Sequence, residues 1–154
     1  MGRDLLLDAE TRRRTLRELE GEDWGGPGFA SHLVTECHRL RRVPLGAFRP
    51  EDLRILIGQE IGLRFLVPLA LERLLVEPWV SGDLYAGDVL QAVLQVRPSF
   101  WEAHPTLTTE LTCAATRALE EYSSSRGRRP ERYDEEVVSL LQCWLACPVQ
   151  PHAR

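Results

Sequence analysis

The sequence predicts an all-α fold, a single compact bundle of seven or eight short helices spanning residues 1–154. Three observations predict it. Apolar residues recur at helical spacing in at least six segments. No stretch of four or more residues alternates apolar and polar between turn signals, which is the pattern of a half-buried strand. Proline- and glycine-rich breaks divide the chain into pieces of short-helix length, and no fixed-period repeat runs through them. With 154 residues, 44% of them hydrophobic, the chain has the length of one domain and the apolar material for a real core.

The elements follow in order. Residues 5–20 set Leu16 and Leu19 on one face within an arginine run and predict a first helix. Residues 21–28 hold four of the eleven glycines and a proline, which force a loop, and Trp24 is expected to fold that loop back onto the body. From Ala30, residues Leu33, Val34, Cys37 and Leu40 recur at i, i+1, i+4 and i+7, predicting an amphipathic helix with arginines outside that stops before Pro44. Pro50 followed by Glu51 and Asp52 is a helix start, because proline loses no needed N–H there and carboxylates favour the positive end of the dipole. Leu53, Leu56, Ile57 and Ile61 mark its buried face.

Gly58 and Gly62 bracket a turn, and residues 63–75 are then apolar nearly all round, which predicts a central core helix with Pro68 in its opening turns. Residues 81–88 (SGDLYAGD) form a turn-rich loop. Asp88 with Gln91, and Ser99 with Glu102, have capping-box spacing and predict the starts of two further helices. Leu107, Leu111, Ala114, Ala115, Ala118, Leu119 and Tyr122 keep helical spacing up to the polar break at residues 123–130. Tyr133, Val137, Leu140, Leu141, Trp144 and Leu145 predict the last helix, closed by Pro148.

Composition excludes several classes. The longest apolar run near the centre, Phe65 to Leu71, has seven residues against the roughly 20 of a membrane-spanning helix. Arg3 and Asp4 precede only three leucines, so the apolar stretch of a secretory signal is missing, and Gly2 lacks the serine or threonine that myristoylation favours; the expected compartment is the cytoplasm. All 19 basic residues are arginine, and the chain has neither lysine nor asparagine, a bias that a GC-rich coding sequence produces without selection for nucleic acid. A net charge of −4 weighs against a protein that lives on phosphate backbone and suits a basic partner instead. Acids flank the arginine clusters at 12–14 and 126–129, so no direct nucleic-acid contact is expected.

The residues offer little chemistry. Cys143 and Cys147 stand at i and i+4, but zinc needs two more ligands, and His32, Cys37, His38 and Cys113 lack the paired short spacings of such sites. No metal and no cofactor are expected, and Cys113 and Cys143 read as small core residues. Cys37 and His38 are adjacent on a helix and point about 100° apart, so they cannot act as nucleophile and base for one another. No nucleophile elbow, phosphate loop, zinc-protease motif or dinucleotide fingerprint occurs, and an enzyme is not predicted.

Several phrases in fixed order carry a resemblance: Glu22-Asp23-Trp24-Gly25, Arg41-Arg42-Val43-Pro44-Leu45, residues 51–59 (EDLRILIGQ), Gly62-Leu63, residues 66–71 (LVPLAL), residues 82–90 (GDLYAGDVL) and Phe100-Trp101. Over about residues 16–105 the chain resembles the immunity proteins of bacterial contact-dependent growth inhibition (CDI) systems. The resemblance implies a cytoplasmic helical protein without catalysis of its own that binds a cognate toxin domain, often a nuclease, and blocks it. The negative charge suits a cover for a basic cleft. Acids on loops and helix ends are the residues expected to meet such a cleft: Glu22, Asp23, Asp83, Glu131, Asp134 and Glu135. The alternative is a helix-turn-helix-like nucleic-acid-binding regulator built on residues 30–61, whose second helix offers only Arg54 and Gln59 as base readers.

Overall fold

The computed structural model describes residues 7–28, 30–125 and 135–147. Among the described residues the fold is all-α, with nine α-helices, one 3-10 turn and no strand, only a lone bridge between Ser81 and Ala86. The count exceeds eight because the first predicted helix is two: α1 (Ala9–Arg13) and α2 (Leu16–Glu20). Thr15 and Glu18 form a reciprocal capping box at the junction, so a new helix begins where the leucine spacing implied continuation. Gly21, at φ +69°, ends α2 in the left-handed conformation that glycine adopts without strain.

Helix α3 (His32–Leu40) buries Cys37 and Leu40, but Leu33 and Val34 are 41% and 42% exposed. The predicted stripe therefore packs only in its second half. A 3-10 turn (Leu45–Ala47) leads to α4 (Pro50–Gly58), which starts on Pro50 as predicted, with the Arg49 N–H donating to Asp52 Oδ2 at 2.9 Å. Gly62, at φ +63°, turns the chain into α5 (Leu63–Val76), which buries eight residues including Pro68 and is the centre of the core. A Cβ on Gly62 would stand 2.8 Å from Leu16, so α2 seats directly on this turn.

The remaining helices are α6 (Asp88–Leu94), α7 (Pro98–Ala103), α8 (Pro105–Ser124) and α9 (Glu135–Ala146). Helix α4 packs on α3, α5 and α6, while α8 joins α5 to α9 and α9 returns to α6. Trp79 closes the core by donating its indole N–H to the Ala118 carbonyl at 2.9 Å, and Trp101 meets Trp144 edge-on.

Three local expectations are corrected. Neither α6 nor α7 starts on a side-chain cap: Gly87 precedes α6 at φ +90°, and Pro98 opens α7 after Arg97. Asp88 instead turns its carboxylate back to the preceding loop. Cys113 and Cys143 are exposed, because Leu111, Ala114, Ala115 and Ala118 take the inner face of α8, and Val137, Val138, Leu141 and Trp144 that of α9. Among the described residues no helix is long and apolar enough to cross a membrane.

Candidate functional site

The loop between α5 and α6 is built on carboxylates. At its foot, Asp88 is 2% exposed and accepts the N–H groups of Gly82 at 2.6 Å, Leu84 at 3.1 Å and Tyr85 at 3.4 Å. From α4, Glu51 Oε2 accepts the Asp83 N–H at 2.8 Å. The Arg54 guanidinium forks onto Glu51 at 2.7 and 2.5 Å and reaches Asp88 Oδ2 at 3.8 Å. Burying three acids, Glu51, Asp52 and Asp88, is tolerable only with such partners. The hydrogen bond from Arg54 holds the Glu51 carboxyl below its ordinary pKa against the opposing pull of burial, and the Asp83 N–H adds to it. A Cβ on Gly82 would lie 2.6 Å from Glu51 Oε2 and 2.9 Å from Asp88 Oδ2, so the carboxylates can meet the backbone only at a glycine.

The cluster extends onto α3. Arg49 pairs with Asp52 at 3.2 Å and Arg39 with Glu36 at 2.9 Å, and the two pairs lie close enough to bias one another's ionisation. Three arginines (Arg39, Arg49, Arg54) thus face five carboxylates (Glu36, Glu51, Asp52, Asp83, Asp88), and the surplus negative charge reaches solvent at the exposed Asp83. Helix α9 begins nearby: Val137 Cγ1 lies 3.5 Å from where a Gly87 Cβ would stand, which sets the exposed Glu135 at the same end of the molecule.

Glu22 and Asp23 belong to a different loop, organised by Arg41. This guanidinium is 3% exposed, pairs with Glu20, donates to the Glu22 carbonyl at 2.8 Å and stacks under Trp24 at 4.0 Å, so Trp24 folds back as expected. Glu22 itself is exposed. Asp23 is held by its neighbours: its carboxylate accepts the Gly25 N–H at 2.9 Å and pairs with Arg17 at 2.7 Å and Arg42 at 3.8 Å, and the Gly25 bond foremost keeps its pKa low. Of the six acids named from the sequence, the structure brings Asp83 and Glu135 to one end and places Glu22 and Asp23 on this second loop; Glu131 and Asp134 lie outside the described residues. Glu51, Asp88 and Arg54 were missed as site-builders. A Gly-Asp pair on each side of the loop was the only local sign.

The groups that suggested chemistry are otherwise engaged. Burial, with the charge of Glu36 behind it, pushes the Cys37 thiol up and away from thiolate, while His38 Nδ1 donates to the Gly25 carbonyl at 3.2 Å. Among the described residues no group of three or more histidines, cysteines or acids is placed to hold a metal ion. Arg54, a candidate base reader, is fixed by Glu51 and Asp88; Arg12 and Arg14 of the cluster at 12–14 pair with Glu72 and Glu18, and Arg39, Arg41 and Arg42, at and just beyond the end of α3, pair with Glu36, Glu20 and Asp23, while the cluster at 126–129 lies outside the described residues.

The chain is thus an all-α protein whose buried acids shape its loops, with a formal net charge of −4. The family model for CDI immunity proteins matches residues 18–111, well over half of the chain, and the chain belongs to this family. Its members are non-enzymatic, and membership gives the chain a cognate CDI toxin as its partner. Neither the curated proteins nor the solved structures yield a match.

Proposed function

We propose that this chain works as a single domain in the cytoplasm, where it neutralises its cognate toxin by one-to-one binding, and that the toxin is a nuclease with a basic cleft. The observation that carries the nuclease reading is the surplus of carboxylates around the loop at residues 81–88, within a chain of net charge −4. A nuclease concentrates positive charge where it holds phosphates, and an acidic surface on a rigid loop competes for that site. The acids proposed to meet it are Glu22, Asp23, Asp83, Glu131, Asp134 and Glu135. Because Asp83 is anchored through its own N–H to Glu51, it can present its charge with little loss of conformational freedom on binding. Binding of this kind uses no cofactor. Blocking an enzyme that damages nucleic acid requires little residual activity, so the expected interface is about 1,600 Å² with affinity of about nanomolar or tighter.

Co-expression with the toxin domain encoded beside the chain tests this reading. Cells should survive with both genes and lose intact RNA or DNA with the toxin alone. Death in the presence of both, or a toxin that leaves nucleic acids whole, would contradict it.

A further inference from the structure

Beside the acidic cluster lies a second feature. A groove of about 650 Å³ opens between the 3-10 turn, α4, α5 and the start of the loop at residues 81–88. Its floor is apolar, with Phe48, Leu53, Leu69 and Val80, and its edge carries Val76, which is 80% exposed. Such a valine beside an open apolar floor is what a partner's side chain would cover. The rim carries three carboxylates, Glu72, Glu77 and Glu110, against two guanidiniums, Arg12 and Arg73, a formal surplus of one negative charge. Arg12 is paired with Glu72, and Arg73 is held by donating to the Phe48 carbonyl at 2.6 Å; that carbonyl is uncharged, so Arg73 keeps its positive charge. Glu77 and Glu110 line the same groove with no hydrogen bond or ion pair from their side chains among the described residues. The groove is also continuous with the acidic cluster, since Phe48 precedes Arg49 of the Arg49–Asp52 pair and Val80 precedes the loop that carries Asp83.

We propose that this groove docks a segment of the toxin that presents an apolar side chain flanked by arginine or lysine. The inference rests on the reading of the chain as a toxin-binding protein and deepens it by naming a contact surface. Charge selects this occupant over a second copy of the chain: two copies of net charge −4 would bring like-charged rims together, whereas a cationic flank meets Glu77 and Glu110 favourably. The volume suits one or two inserted side chains, which gives the contact the form of a central anchor with a charged rim.

The test measures affinity for the purified cognate toxin domain with four forms of the full chain: wild type, Val76→Arg, the double variant Glu77→Arg with Glu110→Arg, and Glu102→Arg on α7, away from the groove. All the altered groove positions are exposed or half-buried, and circular dichroism with urea midpoints confirms folding of each variant. Val76→Arg should weaken binding by about tenfold or more, chiefly through faster dissociation. The double charge reversal should weaken it comparably at low salt, with the loss shrinking as salt rises. Glu102→Arg should leave affinity within about twofold of wild type. Wild-type binding with unchanged affinity in both groove variants overturns the groove while leaving the proposed function standing. A wild-type chain that does not bind the toxin overturns both. If Val76→Arg alters the oligomeric state of the free chain but not toxin affinity, a second copy is the occupant and the proposal fails.

Discussion

Arg54 stands between Glu51 and Asp88, so removing it leaves two buried carboxylates facing each other's neighbourhood without their cation. Breaking a fully buried pair costs about 3–5 kcal/mol; Arg54 keeps a quarter of its side chain in water, and Arg54→Ala should cost about 1–3 kcal/mol, read from the urea midpoint. Glu51 supplies the matching pH dependence. Its folded-state pKa lies below the ordinary 4.5, so folding favours the charged form; that stabilisation is complete above the ordinary value and is lost as pH falls through the depressed one. Glu51→Gln should therefore be less stable than wild type at pH 7, with the gap narrowing below about pH 4. A gap that stays constant down to acid unfolding would mean that Glu51 contributes by shape alone. These roles were hidden in the sequence for a physical reason: Glu51 and Asp83 are 32 residues apart and meet only after α4 and α6 pack.

At the scale of elements, helical spacing was legible because it depends on local periodicity, and the central helix appears where residues 63–75 predicted it. Leu71 is fully buried there, so Leu71→Ala should cost about 2–5 kcal/mol, while Glu121→Ala on the outside of α8 should stay within about 0.5 kcal/mol. Comparable losses in calorimetry would contradict the placement of α5. The division of α1 from α2 was also written in the sequence, as the Thr15-x-x-Glu18 box, but the leucine spacing across residues 5–20 masked it. Gly87 shows where local pattern fails: capping spacing pointed to Asp88 and Gln91, yet the helix begins on a glycine at φ +90° whose Cβ would stand 2.7 Å from Trp79. Gly87→Ala combines backbone strain with a ring clash and should destabilise by about 2 kcal/mol or more, visible as a lower thermal midpoint.

At the scale of the whole molecule, family membership was legible in ordered phrases between residues 22 and 101, and the matched span of 18–111 covers them. The candidate surface was only half legible, because an acid's worth to a partner depends on what it already holds. Asp23 and Asp83 look alike in sequence, each on a glycine-rich loop; Asp23 is paired with Arg17 and Arg42, whereas Asp83 is anchored through its backbone and keeps its carboxylate at the surface. The proposed one-to-one neutralisation of a basic nuclease is tested most directly by titrating the purified toxin's nuclease activity with this protein. Activity should fall linearly and vanish at about one equivalent, with an association rate that drops steeply as salt rises while dissociation changes little. Full nuclease activity at several equivalents, or inhibition that never reaches a stoichiometric end point, would contradict it.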